Sequence, residues 1–318
     1  MMREDDLIRR LTERFGAPHP RVKVGVGDDC SVIKQNPGKD LLVSVDTSVE
    51  GVHFNFDLLK PEEVGYRGLA GALSDIAAMG GEPLAFLLNV QTPRDYLERL
   101  TKIYEGFLPL SDRFCVPLVG GNVSRGRDLA LTFVVLGEVS RKGKWLRSGA
   151  DDGDVLFITG DVGRVKAFFM AAKLSPKGNE WWYVRAREKF AKPTPRIEEA
   201  QRLRAEGVEV TAAIDVSDGL STDAYRLAMA SEVKIVLDTE AIPVDDSVRY
   251  VAENLNRDPL EIALGSGEEY ELLFTVRKEW EDTVKSMGFI RIGHVELGPE
   301  GVYDERGNEI VPSGWQHF

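Results

Sequence analysis

Soft-metal ligands and disulfide-forming residues are scarce in this sequence. Only two of its 318 residues are cysteines, Cys30 and Cys115, and no C-x-x-C spacing occurs. Two cysteines are too few for a disulfide framework, and both are most simply small buried residues. The chain also has no H-E-x-x-H segment and no G-x-S-x-G segment. These absences exclude the usual signatures of zinc proteases and of α/β-hydrolases.

Positive net charge and long hydrophobic runs are missing as well. The formal net charge is −12 at pH 7, which argues against nonspecific binding to nucleic acids or to anionic membranes. No apolar stretch is long enough to span a bilayer, and the first residues, MMREDDLIRR, lack the apolar region of a signal peptide. We therefore expect a cytoplasmic protein with neither a nucleic-acid nor a membrane partner.

The common glycine-rich phosphate-binding loops are absent. No G-x-x-x-x-G-K-[ST] segment occurs, and Gly25–Cys30 (GVGDDC) is only a near miss to the dinucleotide-binding fingerprint. Its third glycine is missing, and two carboxylates stand where a pyrophosphate would lie. A polyphosphate substrate would therefore need bound cations to approach this acidic chain.

The order of the predicted elements favours a two-domain α/β (α+β) protein. A chain of 318 residues is long for a single core. Strands and helices alternate up to residue 140, and βα units continue beyond a polar, glycine-containing linker at 141–153. We assign the domains to residues 1–140 and 150–318. Helices are predicted over 3–15, 61–80 and 94–111, a strand over 115–119, and an irregular segment over 175–195.

Two short apolar runs in the N-terminal part each end in acidic residues. The first delivers Asp28 and Asp29, and the second, Leu41–Val45, is followed by Asp46. We place Asp46 where a buried strand ends, which is a usual position for ligand chemistry in α/β sheets. Three carboxylates brought together repel one another unless cations neutralise them. The pattern therefore indicates a metal-dependent site for an anionic substrate.

Oxygen-bearing side chains recur beside glycines after apolar runs along the chain. The candidates are Asp28, Asp29, Ser44, Asp46, Asp75, Asn122, Asp215 and Asp218. Such a set suits Mg²⁺ or Mn²⁺ rather than zinc. Each member taken alone is more often a cap, a turn residue or a solvated charge. Ser217 or Asp218, for example, could simply cap the helix that follows, but a capping role does not account for Asp215.

Three further residues each have two interpretations. His53 is either a structural histidine, which chemistry alone favours, or a ligand contact. Arg147 is either a surface charge or a phosphate contact. Trp315, close to the C-terminus, is either an exposed aromatic or one that stacks on a bound molecule.

Taken together, these segments resemble the thiamine-monophosphate kinase family, in the superfamily of aminoimidazole ribonucleotide synthetase. The matching segments follow the family's order over nearly the whole chain: VGDDCSVI, SVDTSVEGVHF, YRGLAGALSDIAAMGGEP, LVGGNVSR, AIDVSDGLSTD, GSGEEYELLF, IGHV and GWQHF. The first three are highly specific in combination. The resemblance implies an N-terminal domain that binds ATP and Mg²⁺ and pairs its sheet with that of a second copy in a homodimer. It also implies a C-terminal α/β sandwich that completes the active site.

The resemblance further implies an activity and a set of ligands. The activity is transfer of the γ-phosphoryl group of ATP to thiamine monophosphate, with several Mg²⁺ ions and no acid–base residue. The implied Mg²⁺ ligands are Asp28, Ser44, Val45 through its backbone, Asp46, Asp75, Asn122, Asp215 and Asp218. The implied ATP contacts are Tyr104, Gly121, Asn122, Arg147 and Ser217. The implied thiamine-phosphate contacts are His53, Glu269 and Trp315.

Two positions depart from the family's pattern. The family has G-E-D-Y-E-L where this chain has Gly267-Glu268-Glu269-Tyr270, and many members have aspartate at the position of Asn122. The first departure bears on the substrate contact, and the second removes one ligand charge. Two alternatives stay open at this point. One is another ATP-using enzyme of the superfamily, such as aminoimidazole ribonucleotide synthetase, and the other is a catalytically silent nucleotide-binding scaffold.

Overall fold

A computed structural model describes residues 20–24 and 32–315 of the chain. The helix predicted over 3–15 and the predicted ligands Asp28 and Asp29 lie outside these residues. The chain divides into two compact units, the first ending at Gly143. The segment Ala77–Gly80 belongs with Lys144 and the residues after it, in the second unit. None of the helices within the described ranges is both long and apolar enough to cross a membrane.

The first unit is built on a four-stranded sheet. A short antiparallel pair, β1 (Val22–Val24) with β2 (Val32–Ile33), precedes it. The strands of the sheet are β3 (Lys39–Val49), β4 (Glu82–Thr92), β5 (Leu118–Arg125) and β6 (Ala130–Ser140). They lie in the order β3-β6-β4-β5, with β4 and β5 parallel and the other neighbours antiparallel. β3 is therefore an edge strand.

Two long helices cover one face of this sheet. They are α1 (Pro61–Ala78) and α2 (Leu97–Phe114). α1 begins with proline and two acidic residues, which suit the donors and the positive dipole end of a helix N-terminus. From α2, the Phe107 ring packs edge-on against Phe86 of β4 and Phe133 of β6, with centroid distances of 5.8 and 5.6 Å. This aromatic group joins helix and sheet in the core of the first unit.

The second unit is built on a six-stranded sheet. Its strands are β7 (Val155–Ile158), β8 (Val210–Asp215), β9 (Lys234–Leu237), β10 (Leu272–Val276), β11 (Ile290–Glu296) and β12 (Gly301–Asp304). They lie in the order β12-β9-β11-β7-β10-β8, and β12 is parallel to β9 while the other neighbours are antiparallel. The helices are α3 (Arg164–Ala171), α4 (Trp181–Ala191), α5 (Ile197–Ala205), α6 (Leu220–Ser231), α7 (Asp246–Asn254), α8 (Pro259–Leu264) and α9 (Glu281–Ser286).

The structure corrects the prediction that Asp46 ends a buried strand. β3 continues to Val49, so Asp46 lies within it, opposite Phe133 of β6. The strand is not buried either, because Leu41, Val43 and Val45 are 48%, 58% and 61% exposed. The predicted alternation of side chains between the two faces of β3 is correct. The sequence pattern does not show whether another part of the protein covers the apolar face.

Two other element predictions were wrong. The strand predicted over 115–119 is instead β5, which runs from Leu118 to Arg125. Cys115, predicted to be buried, is exposed and caps α2 in the left-handed conformation. The segment predicted to be irregular over 175–195 contains α4. Its Trp182 is 5% exposed and stacks on Tyr250 of α7, with 5.1 Å between ring centroids. Tertiary packing of this kind stabilises a helix whose own sequence pattern is weak.

Candidate functional site

Three of the predicted metal ligands lie on facing elements of the first unit. Ser44 and Asp46 are half-buried on the face of β3 opposite to Val45. Asp75 lies in the last turn of α1, as predicted, and its Oδ2 accepts a hydrogen bond from the Ser44 hydroxyl. The structure therefore brings Ser44 and Asp75 into direct contact, with Asp46 two residues along the same strand face.

Gly121 and Asn122 lie on β5, the opposite edge of the same sheet. The Nδ2 of Asn122 donates to Oδ1 of Asn89 on β4 at 3.1 Å. A Cβ on Gly121 would lie 2.0 Å from the carbonyl oxygen of Leu88. Glycine is therefore required here by the close approach of two parallel strands, whether or not ATP binds at this position.

His53 and Tyr104 each have a structural role in the first unit. The Nδ1 of His53 accepts a hydrogen bond from the backbone N–H of Val49 at 3.1 Å, so the neutral ring carries its proton on Nε2. Tyr104 is 5% exposed and packs against Phe107, with 5.2 Å between ring centroids. Burial raises the pKa of the Tyr104 phenol above its usual value. Their predicted contacts with ligands stay predictions.

The second unit contributes an acidic turn at the end of β8. Asp215 is the last residue of that strand and is 4% exposed. Ser217 and Asp218 follow, half-buried, just before α6. Backbone hydrogen bonds tie this turn to the loop that enters β10: Glu268 N–H donates to Ser217 O at 2.7 Å, and Tyr270 N–H to Val216 O at 2.9 Å.

Asp223 organises the turn and was missed by the sequence analysis. Its carboxylate is fully buried, and Oδ2 accepts the backbone N–H groups of Ser217, Asp218 and Gly219 at 3.0, 2.9 and 3.0 Å. Burial raises the pKa of Asp223 to about 6, against the opposing effect of these donors and of Arg226. An acidic residue in the first turn of a helix, where it can accept backbone N–H groups, was the available signal.

Trp315 lies beside Asp218. Its backbone N–H donates to the carbonyl oxygen of Asp218 at 2.9 Å, and the preceding N–H, of Gly314, donates to Oγ1 of Thr222 at 3.1 Å. The indole itself is 54% exposed. Gly314 and Trp315 are thus docked on the acidic turn, and the indole presents an aromatic surface next to a predicted metal ligand.

Glu269 does not lie on an open surface. It is 0% exposed, and its Oε1 accepts from the backbone N–H groups of Gly163 and Val165 at 2.9 and 3.0 Å and from the Ser266 hydroxyl at 2.6 Å. The carboxylate therefore fixes the start of α3. Direct contact of Glu269 with the substrate stays a prediction.

Glu271, two residues on, anchors a buried ionic cluster that the sequence analysis did not identify. Its carboxylate is 0% exposed and contacts Lys189 and Arg196, the latter with Nε at 2.7 Å and an Nη atom at 2.5 Å. Burial alone would raise the pKa of Glu271, but the two cations outweigh it and lower that pKa to about 2. This cluster holds the strand that continues from the Glu269 loop.

The remaining predicted site residues are less informative. Arg147 is exposed, and its carbonyl oxygen accepts from the Ser231 hydroxyl at 3.0 Å. Asp28 lies outside the described residues. Within the ranges 20–24 and 32–315, no group of three or more histidine, cysteine, aspartate or glutamate side chains is close enough to hold a metal ion by itself.

Two family models match the chain. They are the AIR synthase related protein N-terminal domain, over residues 27–139, and its C-terminal domain, over residues 151–296. The match confirms the mixed α/β fold that the resemblance implied.

Several relatives match this chain over nearly their full lengths. The thiamine-monophosphate kinase of Pyrococcus horikoshii is 36% identical, covering 100% of this chain and 96% of that protein. That of Bacillus subtilis is 36% identical, covering 93% and 91%. A solved structure described as AaThiL complexed with AMPPCP and TMP has 31% identity and a TM-score of 0.81, covering 100% of this chain and 99% of that chain. This chain therefore belongs to the thiamine-monophosphate kinase family, within the AIR synthase related proteins.

Proposed function

We propose that this chain catalyses the ATP-dependent phosphorylation of thiamine monophosphate to thiamine diphosphate. The observation that carries the proposal is its similarity, along the entire chain, to the solved structure that contains AMPPCP and TMP. The named relatives point to the same activity. We place the reaction in the cytoplasm, where ATP is supplied.

These residues suit direct in-line phosphoryl transfer. The acceptor is a phosphate oxygen that is already ionised near neutral pH, so the reaction needs no strong general base. The described site residues are mainly carboxylates, hydroxyls and amides, and the one histidine among them, His53, has its Nδ1 occupied by the backbone. Positioning and neutralisation of charge are then the main tasks of the protein.

The oxygen donors fit Mg²⁺. In the first unit these are Ser44, Asp46, Asp75 and Asn122, with Asp28 outside the described residues, and in the second unit Asp215 and Asp218. Magnesium is commonly held by one or two carboxylates together with substrate phosphates. When bound, Mg²⁺ supplies positive charge that offsets the phosphates. The Ser44 hydrogen bond orients the Asp75 carboxylate for that role.

Substrate contacts are divided between the two units in the proposal. ATP is assigned to Tyr104, Gly121, Asn122, Arg147 and Ser217. Thiamine monophosphate is assigned to His53, Glu269 and Trp315, and Glu269 also fixes the start of α3. In this arrangement the N-terminal domain (1–140) binds ATP and Mg²⁺, and the C-terminal domain (150–318) completes the active site.

The proposal includes a homodimer formed through the first unit. The face of its sheet opposite to α1 and α2 presents Leu41, Val43 and Val45 of β3, which are 48–61% exposed. In register with Val43 and Val45 lie Leu136 and Val134 of β6, and paired residues point to the same face. A contiguous apolar surface of this kind is typical of a protein–protein contact, and a second copy of the sheet is the occupant we infer.

The experiment that tests the function is incubation of the protein with ATP, Mg²⁺ and thiamine monophosphate, with chromatographic separation of the thiamine species. Thiamine diphosphate formed in step with ADP is the expected result, and it should require all three components. ADP without thiamine diphosphate would point to another acceptor within the superfamily. Binding of ATP without turnover would favour a silent scaffold.

A further inference from the structure

The turn before α6 forms a concave set of donors that the chain fills with its own carboxylate. Successive N–H groups of Ser217, Asp218 and Gly219 converge on Oδ2 of Asp223 at 2.9–3.0 Å. Backbone N–H groups at the start of a helix usually attract an external anion such as phosphate. Because Asp223 already takes all three, these N–H groups are not open to an external anion.

Two contacts connect Asp223 and its turn to the predicted ligand residues. The first is Arg226, which contacts Oδ1 of Asp223 at 2.7 Å and Oδ2 of Asp218 at 2.5 Å. The second is the Asp218 carbonyl oxygen, which accepts the Trp315 N–H at 2.9 Å. A Cβ on Gly314 would lie 2.0 Å from that same oxygen, so the fit of Gly314 and Trp315 depends on where the turn holds Asp218.

We propose that Asp223 is a positioning residue, whose buried carboxylate holds Asp218 and Trp315 together in the geometry that binds metal and thiamine phosphate. The inference rests on the proposed function. Asp223 touches neither ligand, and it acts through the backbone of the turn and through Arg226. One residue thus links a metal-binding acid to the aromatic residue assigned to the substrate.

Asparagine at position 223 is the informative change because it conserves shape. Oδ2 of Asp223 faces three N–H donors, and Oδ1 faces the Arg226 guanidinium, which can only donate. An amide has one oxygen and one NH₂ group, so either orientation places donors against donors. Asp223→Asn must therefore loosen either the turn or the link to Arg226.

The test compares Asp223→Asn with Asp154→Asn. Asp154 is also a buried carboxylate of the second unit, 4% exposed and bound to the Asp151 N–H and the Thr211 hydroxyl, but it belongs to no predicted ligand set. We expect Asp223→Asn to weaken Mn²⁺ binding, measured by electron paramagnetic resonance, about tenfold or more. We also expect a higher KM for thiamine monophosphate. Asp154→Asn should lower the thermal midpoint and leave both constants unchanged.

Equal Mn²⁺ affinity and equal KM in wild type and Asp223→Asn would overturn the proposal, because Asp223 would then be structural only. If the variant does not fold, amide hydrogen exchange in the wild-type protein decides. The amides of residues 217–219 should be protected before any Mg²⁺ is added. Protection that appears only with Mg²⁺ would mean that the metal orders the turn, and would reject the proposal. If the wild-type protein makes no thiamine diphosphate, the proposed function is wrong. The Mn²⁺-binding and hydrogen-exchange measurements would still test the role of Asp223, because neither depends on turnover.

Discussion

Glu269 and Glu271 are separated by a single residue, and their surroundings drive their pKa values in opposite directions. Both are fully buried, which by itself favours the neutral acid. Burial raises the pKa of Glu269, and the ammonium group of Lys189 lies 4.0 Å from its carboxylate. Lys189 and Arg196 contact Glu271 directly, and together they overcome burial and lower its pKa to about 2. Their positions in the sequence pattern do not account for this difference in pKa. It arises from the cations that the neighbouring chain segments place beside Glu271.

Replacement of Glu271 by glutamine should destabilise the protein strongly at neutral pH. Lys189 and Arg196 would keep their buried charges without the matching carboxylate, at a cost of about 3–5 kcal/mol. A folded-state pKa near 2, below the unfolded value near 4.5, means that the wild-type carboxylate stabilises the fold above pH 4.5 and loses this effect as the pH falls toward 2. The difference in unfolding free energy between wild type and variant, from urea denaturation, should therefore shrink between pH 7 and pH 3.

The control for this prediction is Glu209→Gln. Glu209 is paired with Arg277 at 3.6 Å, and its side chain is 66% exposed, so solvent screens the pair. We expect little change at either pH. A Glu271→Gln variant as stable as wild type at pH 7 would contradict the account of the buried cluster.

Trp315→Ala should raise the KM for thiamine monophosphate. The indole is 54% exposed beside Asp218, and aromatic stacking is worth about 0.5–1.5 kcal/mol, roughly a two- to tenfold change. The KM for ATP and kcat should change less. Trp181→Ala is the matched control, since Trp181 on α4 is 55% exposed and has no assigned ligand. A similar rise in both variants would argue against a substrate contact by Trp315.

At the scale of elements, the first unit depends on a close crossing of two helices. A Cβ on Gly65 of α1 would lie 2.0 Å from the Ile103 carbonyl oxygen, and a Cβ on Gly106 of α2 would lie 2.0 Å from that of Glu62. Glycine is ordinarily unfavourable inside a helix, by up to about 1 kcal/mol relative to alanine. Its presence at both positions is explained by backbone contact. The crossing fixes α1, and therefore Asp75, relative to α2.

Gly106→Ala should destabilise the first unit although alanine has the higher helix propensity. Relief of the 2.0 Å contact requires the helices to separate, and overpacking of this kind costs about 1–3 kcal/mol, which exceeds the propensity gain. The measurement is the urea midpoint. Glu105→Ala, at the exposed neighbouring position of α2, should leave that midpoint nearly unchanged. A stabilised Gly106→Ala variant would show that the crossing is looser than described.

At the scale of the whole molecule, the exposed strand face of the first unit bears on assembly. Val43→Asp should convert the proposed homodimer into a monomer, because it places a charge in the centre of the apolar face while the side chain is already 58% exposed in the single chain. Light scattering after size-exclusion chromatography reports the mass. Val184→Asp, on α4 of the second unit and 48% exposed, should keep the wild-type mass. A wild-type protein that elutes as a monomer would refute the dimer.

The sequence by itself determined the family, the alternation of strands and helices in the first unit, and the kinds of side chain in the candidate site. These features depend on which residues are neighbours in the sequence. Glycines stand beside acidic residues, Pro61 begins α1, and the candidate ligands carry oxygen atoms where other metal sites have cysteine and histidine. The same local reasoning placed Asp75 correctly in the last turn of α1.

Only the tertiary structure decided which polar residues touch. It showed that Asp223 holds the 217–219 turn, that Glu269 is buried under α3, and that β3 continues past Asp46. It also revealed α4, whose Trp182 stacks on a residue 68 positions later, Tyr250. Burial and hydrogen bonding of this kind join residues that are distant in the chain, and a pattern of neighbouring residues contains no measure of such contacts.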